Sequence, residues 1–130
     1  METKTFLVVD DSATMRQLIG LTLRKVKEAT VLEASDGAEA AKRLASDRVD
    51  LVVTDIKMPQ MDGLQLVSHI RQELKLTELP VIILTTKGEE GDREAGLKAG
   101  ANAYLTKPLS GAALLQLIDS LLSSKSAVKG

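Results

Sequence analysis

The strongest constraint on the fold of this chain is a set of short, uninterrupted apolar runs that alternate with amphipathic helical patterns. Three of these runs contain no polar residue: Phe6–Val9, Leu51–Val53 and Val81–Leu84. Strands of a parallel sheet are covered on both faces and are continuously apolar, whereas half-exposed strands alternate apolar and polar residues. The runs therefore predict a parallel sheet with helices packed on both faces.

The whole chain divides into five strand and helix pairs. The predicted strands are Thr5–Asp10, Thr30–Glu33, Leu51–Thr54, Val81–Thr85 and Ala103–Leu105. The first predicted helix follows the N-cap Ser12, and the third follows Gly63. The others are predicted over Gly37–Ala45, over Glu90–Ala99 and from Ser110 onward. This alternation predicts an α/β fold, a doubly wound sheet of five parallel strands with five helices. Gly91 and Gly96 fall in the fourth helix, which we expect to be the least stable because glycine weakens helix interiors.

Composition narrows the possible functions and partners. The chain has no cysteine and a net charge of −1, so thiolate chemistry is excluded and nucleic-acid binding is not expected. Phe6 and Tyr104 are the only aromatic residues, which leaves no platform for stacking a base or a flavin. No apolar stretch predicts membrane insertion or a signal peptide, so we expect a cytoplasmic protein. Residues 1–130 predict one domain, with a frayed tail within Ser123–Gly130.

Three carboxylates lie where predicted strands end. Asp10 and Asp11 end the first strand, and Asp55 follows the third. Ligands of open α/β sheets bind beyond the carboxyl ends of the strands, so these residues share one cleft if the two strands are neighbours. Clustered carboxylates without cysteine or a nearby histidine favour Mg²⁺, and a carboxylate beside Mg²⁺ can accept a phosphoryl group. Alternatively, such aspartates only cap helices or form turns.

Two side chains that could donate hydrogen bonds to a phosphoryl group lie at the ends of the fourth and fifth predicted strands. Thr85 ends the fourth strand, and Lys107 follows the fifth. A hydroxyl and an ammonium suit a phosphoryl group. Either residue alone could be an ordinary strand threonine or a solvated lysine. Their occurrence together with the three carboxylates favours a phosphoryl-binding site.

Four segments of the chain form a known combination of motifs: Val8–Ser12, Asp55–Gly63, Ile83–Thr86 and Tyr104–Pro108. With their separations, they resemble the receiver domains of bacterial two-component response regulators, most closely the stand-alone, CheY-like chemotaxis type. The resemblance implies the flavodoxin-like strand order 2-1-3-4-5, of which receiver domains are themselves a standard example. It also implies a signalling protein that slowly hydrolyses its own phosphoryl group and is not a metabolic enzyme.

The resemblance implies a role for each site residue. Asp55 would accept the phosphoryl group from a histidine kinase. Thr85 and Lys107 would contact that group, while Tyr104 would change rotamer and remodel the face made by the fourth helix, fifth strand and fifth helix. The peptide between Lys107 and Pro108 would be cis. The residues expected to bind Mg²⁺ are Asp10, Asp11, Asp55 and, through its backbone carbonyl, Lys57.

Residues around the expected site are predicted to tune the lifetime of the phosphoryl group. Lys57 and Lys87 are interpreted either as shielding this group or as two solvated surface lysines. Thr86 stands where many relatives carry alanine, and its bulk is expected to slow reaction with small phosphodonors. The charged segment Lys87–Arg93 is interpreted as a solvated helix start.

Several functions remain open at this point. The leading interpretation is a phosphorylation-controlled binding module that acts on an effector such as a flagellar motor switch or a motility protein, with or without a dedicated phosphatase. A phosphate sink or phosphorelay intermediate is the second. An aspartyl-phosphate phosphatase of the haloacid dehalogenase type is less favoured, because such enzymes carry an acid where this chain has Lys57. A flavodoxin-like carrier would need the missing aromatic residues.

Overall fold

The computed structural model describes residues 3–86, 90–107 and 109–129. Its sheet contains five parallel strands in the order β2-β1-β3-β4-β5, which confirms the predicted flavodoxin-like topology. The strands are β1 (Lys4–Val9), β2 (Ala29–Ala34), β3 (Leu51–Asp55), β4 (Val81–Thr86) and β5 (Ala103–Lys107). The predictions for Lys87 and for the peptide bond to Pro108 lie outside the described residues.

Five helices connect the strands or follow them: α1 (Ala13–Leu23), α2 (Gly37–Ser46), α3 (Gly63–Gln72), α4 (Glu90–Ala99) and α5 (Gly111–Lys129). Side-chain caps set several of the helix starts, as predicted for Ser12, whose hydroxyl accepts the Met15 N–H. Asp62 and Gln65 form a reciprocal capping box at α3. The α5 helix runs to Lys129 through the segment predicted as a frayed tail, because no glycine or proline interrupts it after Gly111.

Two apolar layers cover the sheet, one on each face. Alternate residues of the central strands enter opposite layers, as strand geometry requires. Phe6 and Val8 pack with α1 and α5, whereas Leu7 and Val9 pack toward α2 and α3. All four side chains are fully buried. This double coverage explains why the runs Phe6–Val9, Leu51–Val53 and Val81–Leu84 contain no polar residue.

The α4 helix lies close to the sheet at one glycine. A Cβ at Gly96 would collide with Cδ1 of Ile83 in β4, a residue that is itself fully buried. At Gly91, by contrast, a Cβ would meet nothing within 4 Å among the residues that the structure describes. The two glycines of α4 therefore have different structural roles, which their helical positions alone do not distinguish.

Arg71, near the end of α3, joins the loops at the edge of the sheet where the strands begin. Its guanidinium donates to the carbonyls of Gly100 and Leu76 and to Oδ1 of Asn102, at 2.9 Å from Nη2 to this last atom. The same Oδ1 accepts the Val81 N–H at 2.8 Å. Arg71 thus ties α3 to the start of β4 and to the connection between α4 and β5.

No helix in the described ranges has both the length and the apolar character that a membrane span needs.

Candidate functional site

The carboxyl ends of β1 and β3 bring three carboxylates together. The two strands are direct neighbours in the sheet, which meets the condition set by the sequence analysis. Asp10, Asp11 and Asp55 each place one carboxylate oxygen within 4.8 Å of the others. Asp10 and Asp55 are buried and Asp11 is exposed. The cluster is therefore open to solvent on one side only.

The Asp10 carboxylate is partly uncompensated. Its Oδ1 accepts the Ser12 N–H at 2.8 Å. Its buried Oδ2 has no hydrogen-bond partner among the described residues. Burial raises the pKa of Asp10, and the negative charges of Asp55 and Asp11 act in the same direction, against the Ser12 N–H and the Lys107 ammonium. A buried carboxylate oxygen without a hydrogen bond, in a cluster with two further carboxylates, suits a hard divalent cation such as Mg²⁺.

Lys107, at the end of β5, provides the positive charge in this cluster. Its Nζ donates to Oδ2 of Asp55 at 3.1 Å and lies 3.7 Å from Oδ2 of Asp10. One ammonium thus faces two carboxylates that come from different strands. Its contact with Asp55 spans the end of β4, which lies between β3 and β5.

The turn after Asp55 is held tightly against β3. The Gly63 N–H donates to the Ile56 carbonyl at 2.7 Å. A Cβ at Gly63 would collide with the Asp55 carbonyl oxygen and would lie 2.8 Å from Cα of Ile56. Glycine is therefore required by close backbone approach. Lys57 begins this turn, and its Nζ lies 3.9 Å from Oδ2 of Asp92 in α4.

The predicted switch residues occupy the neighbouring strands. Thr85 is buried near the end of β4, and Thr86 follows it as an exposed residue. Tyr104 in β5 is half-buried, and its hydroxyl accepts a hydrogen bond from Nη1 of Arg93 at 2.8 Å. The structure thus gathers the three aspartates and Lys107 directly and leaves Tyr104 in contact with α4.

Arg16 was not predicted to lie near the site, and the contacts made by the start of α4 were not predicted. Nη1 of Arg16 donates to the Asp10 carbonyl at 2.6 Å, and Nε pairs with Glu33 at 3.1 Å. A basic residue one turn into the helix after an acidic pair is a weak signal that could have suggested this contact. Asp92 and Arg93 were interpreted as solvated, yet both contact site residues that are distant in sequence, so no local pattern reveals these pairs.

Comparisons with known proteins show the family of this chain. The family model described as the response regulator receiver domain matches residues 6–119, so the chain belongs to this family. It is 40% identical to the chemotaxis protein CheY homolog of Campylobacter jejuni over 121 residues, which cover 92% of this chain and 93% of that protein. The chemotaxis protein CheY1 of Helicobacter pylori is 40% identical over 119 residues, covering 91% of this chain and 96% of that protein.

Solved structures give the same result. The chemotaxis response regulator CheY4 of Vibrio cholerae matches with a TM-score of 0.84 at 30% identity, covering 92% of this chain and 99% of that chain. A CheY-like receiver domain protein of Methanospirillum hungatei matches with a TM-score of 0.89 at 26% identity, covering 99% and 100%. Receiver domains are signalling proteins that bind Mg²⁺ at an acidic pocket, and the aspartate cluster of this chain fits that description.

Proposed function

We propose that this chain is a single-domain response regulator in which Asp55 accepts a phosphoryl group from a phosphohistidine of a histidine kinase. A carboxylate oxygen of Asp55 attacks phosphorus, the P–N bond breaks, and the imidazole leaves, so an acyl phosphate forms. The contact that carries the proposal is the 3.1 Å hydrogen bond from Lys107 to Asp55, beside two further carboxylates. It places a cation where phosphoryl oxygens would lie.

The remaining aspartates explain why the reaction would need a divalent cation. Asp10, Asp11, Asp55 and the Lys57 carbonyl would hold Mg²⁺, which when bound neutralises charge on the phosphoryl oxygens. Burial of Asp10 supports this assignment, because its Oδ2 accepts no hydrogen bond among the described residues and lies 3.7 Å from the Lys107 ammonium. A buried carboxylate oxygen without a hydrogen bond is costly. Lys107 would keep its ammonium on the phosphoryl group after transfer.

The output would follow from the change in charge. A phosphoryl group on a side chain adds about −1.5 to −2 charges, which would draw Thr85 and Lys107 inward. Tyr104 would then reorient, and the surface formed by α4, β5 and α5 would change its affinity for an effector. We infer chemotaxis-type signalling, with a flagellar motor switch or a motility protein as effector, because the most similar relatives compared above are named chemotaxis proteins.

An apolar patch on α1 supports a protein as phosphodonor. Leu18 and Leu21 are 52% and 62% exposed, on the helix whose first turn follows the aspartate pair. Exposed leucines that lie together on one helix favour protein contacts. Nucleic acid and membrane are not proposed as partners.

The direct test is incubation with acetyl phosphate and Mg²⁺ followed by intact mass. We expect the wild type to gain one phosphoryl group, and the gain to vanish in Asp55→Asn or when EDTA removes the metal. Asp47→Asn, which removes an exposed carboxylate outside the cluster, serves as the matched control and should label normally. Undiminished labelling of Asp55→Asn, or no labelling by acetyl phosphate or any kinase, would refute the proposal.

A phosphate sink or relay intermediate is the alternative outcome. Beryllofluoride mimics the phosphoryl group, so a pull-down with and without it separates the two functions. Beryllofluoride-dependent capture of an effector supports the switch, whereas transfer of the phosphoryl group back to a histidine protein without such capture supports the sink.

Residues that follow Asp55 and Thr85 in the sequence would set the lifetime of the phosphoryl group. Lys57 and Lys87 would slow its loss to water, and the bulk of Thr86 would slow its arrival from small donors. We expect Thr86→Ala to label faster with acetyl phosphate. An unchanged dephosphorylation rate in the double variant Lys57→Asn/Lys87→Glu would exclude the shielding role.

A further inference from the structure

Adjacent residues at the start of α4 contact both ends of the proposed switch. Oδ2 of Asp92 lies 3.9 Å from Nζ of Lys57, in the turn that follows the phosphoacceptor. Nη1 of Arg93 donates to the Tyr104 hydroxyl at 2.8 Å, and the guanidinium carbon lies 4.8 Å from the centroid of the same ring. The first turn of α4 therefore contacts both Lys57, in the turn after the proposed phosphoacceptor, and the proposed switch residue Tyr104.

We propose that Arg93 is a positioning residue that holds Tyr104 in its resting orientation, and that Asp92 couples this hold to the phosphorylation turn. This proposal rests on the function proposed above. It assigns a role to two residues that the charge pattern of the sequence leaves as solvent-facing. We call Asp92 and Arg93 together the α4 latch.

The two contacts between Arg93 and Tyr104 favour one orientation of the Tyr104 ring. Rotation of Tyr104 about its side-chain bonds would move the hydroxyl away from Arg93 and the ring from beneath the guanidinium, so both contacts would be lost together. Both side chains are half-buried, and partial removal from water strengthens a charged hydrogen bond and a cation–π contact. A hold worth about 1.4 kcal/mol would reduce the population of the reoriented ring about tenfold.

Phosphorylation would weaken the latch through Lys57. New negative charge on Asp55, two residues away, would compete with Asp92 for the Lys57 ammonium. The start of α4 can respond at low cost, because Gly91 lies in it and glycine weakens a helix relative to alanine. A shift of this turn would move Arg93 with it, since the two latch residues are adjacent. Tyr104 would then be free to reorient.

The composition of the chain provides a selective probe. Tyr104 is its single tyrosine, so labelling with 3-fluorotyrosine gives one ¹⁹F resonance that reports only this ring. The test compares wild type, Arg93→Met and Arg93→Lys, with Lys98→Met as the matched control because it makes the same kind of change at an exposed position of the same helix. Each protein is measured alone and with Mg²⁺ and beryllofluoride.

We expect the resonance of free Arg93→Met to move toward the wild-type position seen with beryllofluoride. Arg93→Lys, which keeps a charge and a donor, should lie between the two, and Lys98→Met should match wild type. If the latch holds the resting state, Arg93→Met should bind beryllofluoride three- to tenfold more tightly than the control, because more of the free protein is already competent to bind.

Asp92→Asn tests the coupling separately. It should tighten beryllofluoride binding in the wild-type background and have little further effect in Arg93→Met, since both changes release the same hold. Fully additive effects would overturn the role of Asp92. A free-state resonance and an affinity in Arg93→Met that both equal those of Lys98→Met would overturn the role of Arg93.

Two controls keep these results interpretable. Thermal melts establish that each variant is folded, and Tyr104→Phe provides a second variant that removes only the acceptor of the hydrogen bond. Since phenylalanine keeps the ring beneath the guanidinium, Tyr104→Phe should reproduce part of the tighter binding of Arg93→Met. Wild-type affinity in Tyr104→Phe would contradict the hydrogen-bond part of the hold. If no variant, including wild type, binds beryllofluoride, the proposed function fails, whereas the free-state ¹⁹F positions still decide whether Arg93 holds the ring.

Discussion

The two glycines of α4 should respond to the same substitution with opposite changes in stability. Alanine is preferred over glycine in helix interiors by about 0.8–1 kcal/mol. At Gly91 the added methyl meets nothing within 4 Å in the described part of the chain, so the preference should be realised. We expect about 0.5 kcal/mol or more of added stability, reduced from the full value because Gly91 lies in the first turn of the helix.

At Gly96 the same preference is opposed by a collision. The new methyl would overlap Cδ1 of Ile83, which is fully buried in β4 and has no empty space to enter. Forcing an extra methyl into a packed core costs about 1–3 kcal/mol. We expect Gly96→Ala to be destabilised by about 0–2 kcal/mol once the helix preference is subtracted. The two variants should therefore differ by about 0.5–3 kcal/mol.

Urea unfolding followed by far-UV circular dichroism measures both changes. Ile83→Val serves as a suppressor, because valine lacks the Cδ1 methyl that the new side chain would meet. We expect Gly96→Ala to cost less in the Ile83→Val background, with a coupling free energy of about 0.5 kcal/mol or more. The reasoning is refuted if Gly96→Ala is as stable as Gly91→Ala, or if Ile83→Val and Gly96→Ala are simply additive.

Three further substitutions test other parts of the structure. Burial raises the pKa of Asp10 above its unfolded value, so the protonated form favours folding and stability falls as pH rises through that raised pKa. We therefore expect Asp10→Asn to raise the Tm of the metal-free protein at neutral pH and to weaken the rise in Tm that Mg²⁺ produces. An unchanged rise in Tm with Mg²⁺ would contradict the metal assignment. Lys75 has φ of +57° just beyond α3, so Lys75→Gly should add about 0.5–1 kcal/mol in urea unfolding, and a loss would show that its side chain compensates the strain. Gly63→Ala should lose about 1–3 kcal/mol and label more slowly with acetyl phosphate, because its methyl would displace the Asp55 carbonyl; normal labelling at normal stability would refute this.

Local sequence patterns predict the sheet and most helix starts because each rests on neighbouring residues. The apolar runs identify the buried strands, and Ser12 identifies the start of α1. The pairing of β1 with β3 follows from the fold family and not from any local pattern. This pairing decides whether Asp10 and Asp55 lie close together. The chemistry of the residues alone could therefore predict a shared cleft only on the condition that the two strands are neighbours.

Contacts between distant segments could not be predicted. The role of Gly96 depends on how closely α4 approaches Ile83, and the pairing of Arg93 with Tyr104 depends on where that helix lies along β5. Both positions look ordinary in sequence, one as a helix-weakening glycine and the other as a surface arginine. The assignment of Asp55 as phosphoacceptor is likewise a prediction that still depends on labelling.

The Arg71 network lies at the edge of the sheet where the strands begin, away from the aspartate cluster at the other edge. This separation has a consequence for mutations that arise in a population of cells. A substitution of Arg71 or Asn102 would lower the number of folded molecules but leave each folded molecule able to signal normally. Higher expression could therefore offset its effect. Loss of Asp55 at the opposite edge, by contrast, would leave every folded molecule unable to accept the phosphoryl group proposed above, so higher expression would not restore the response.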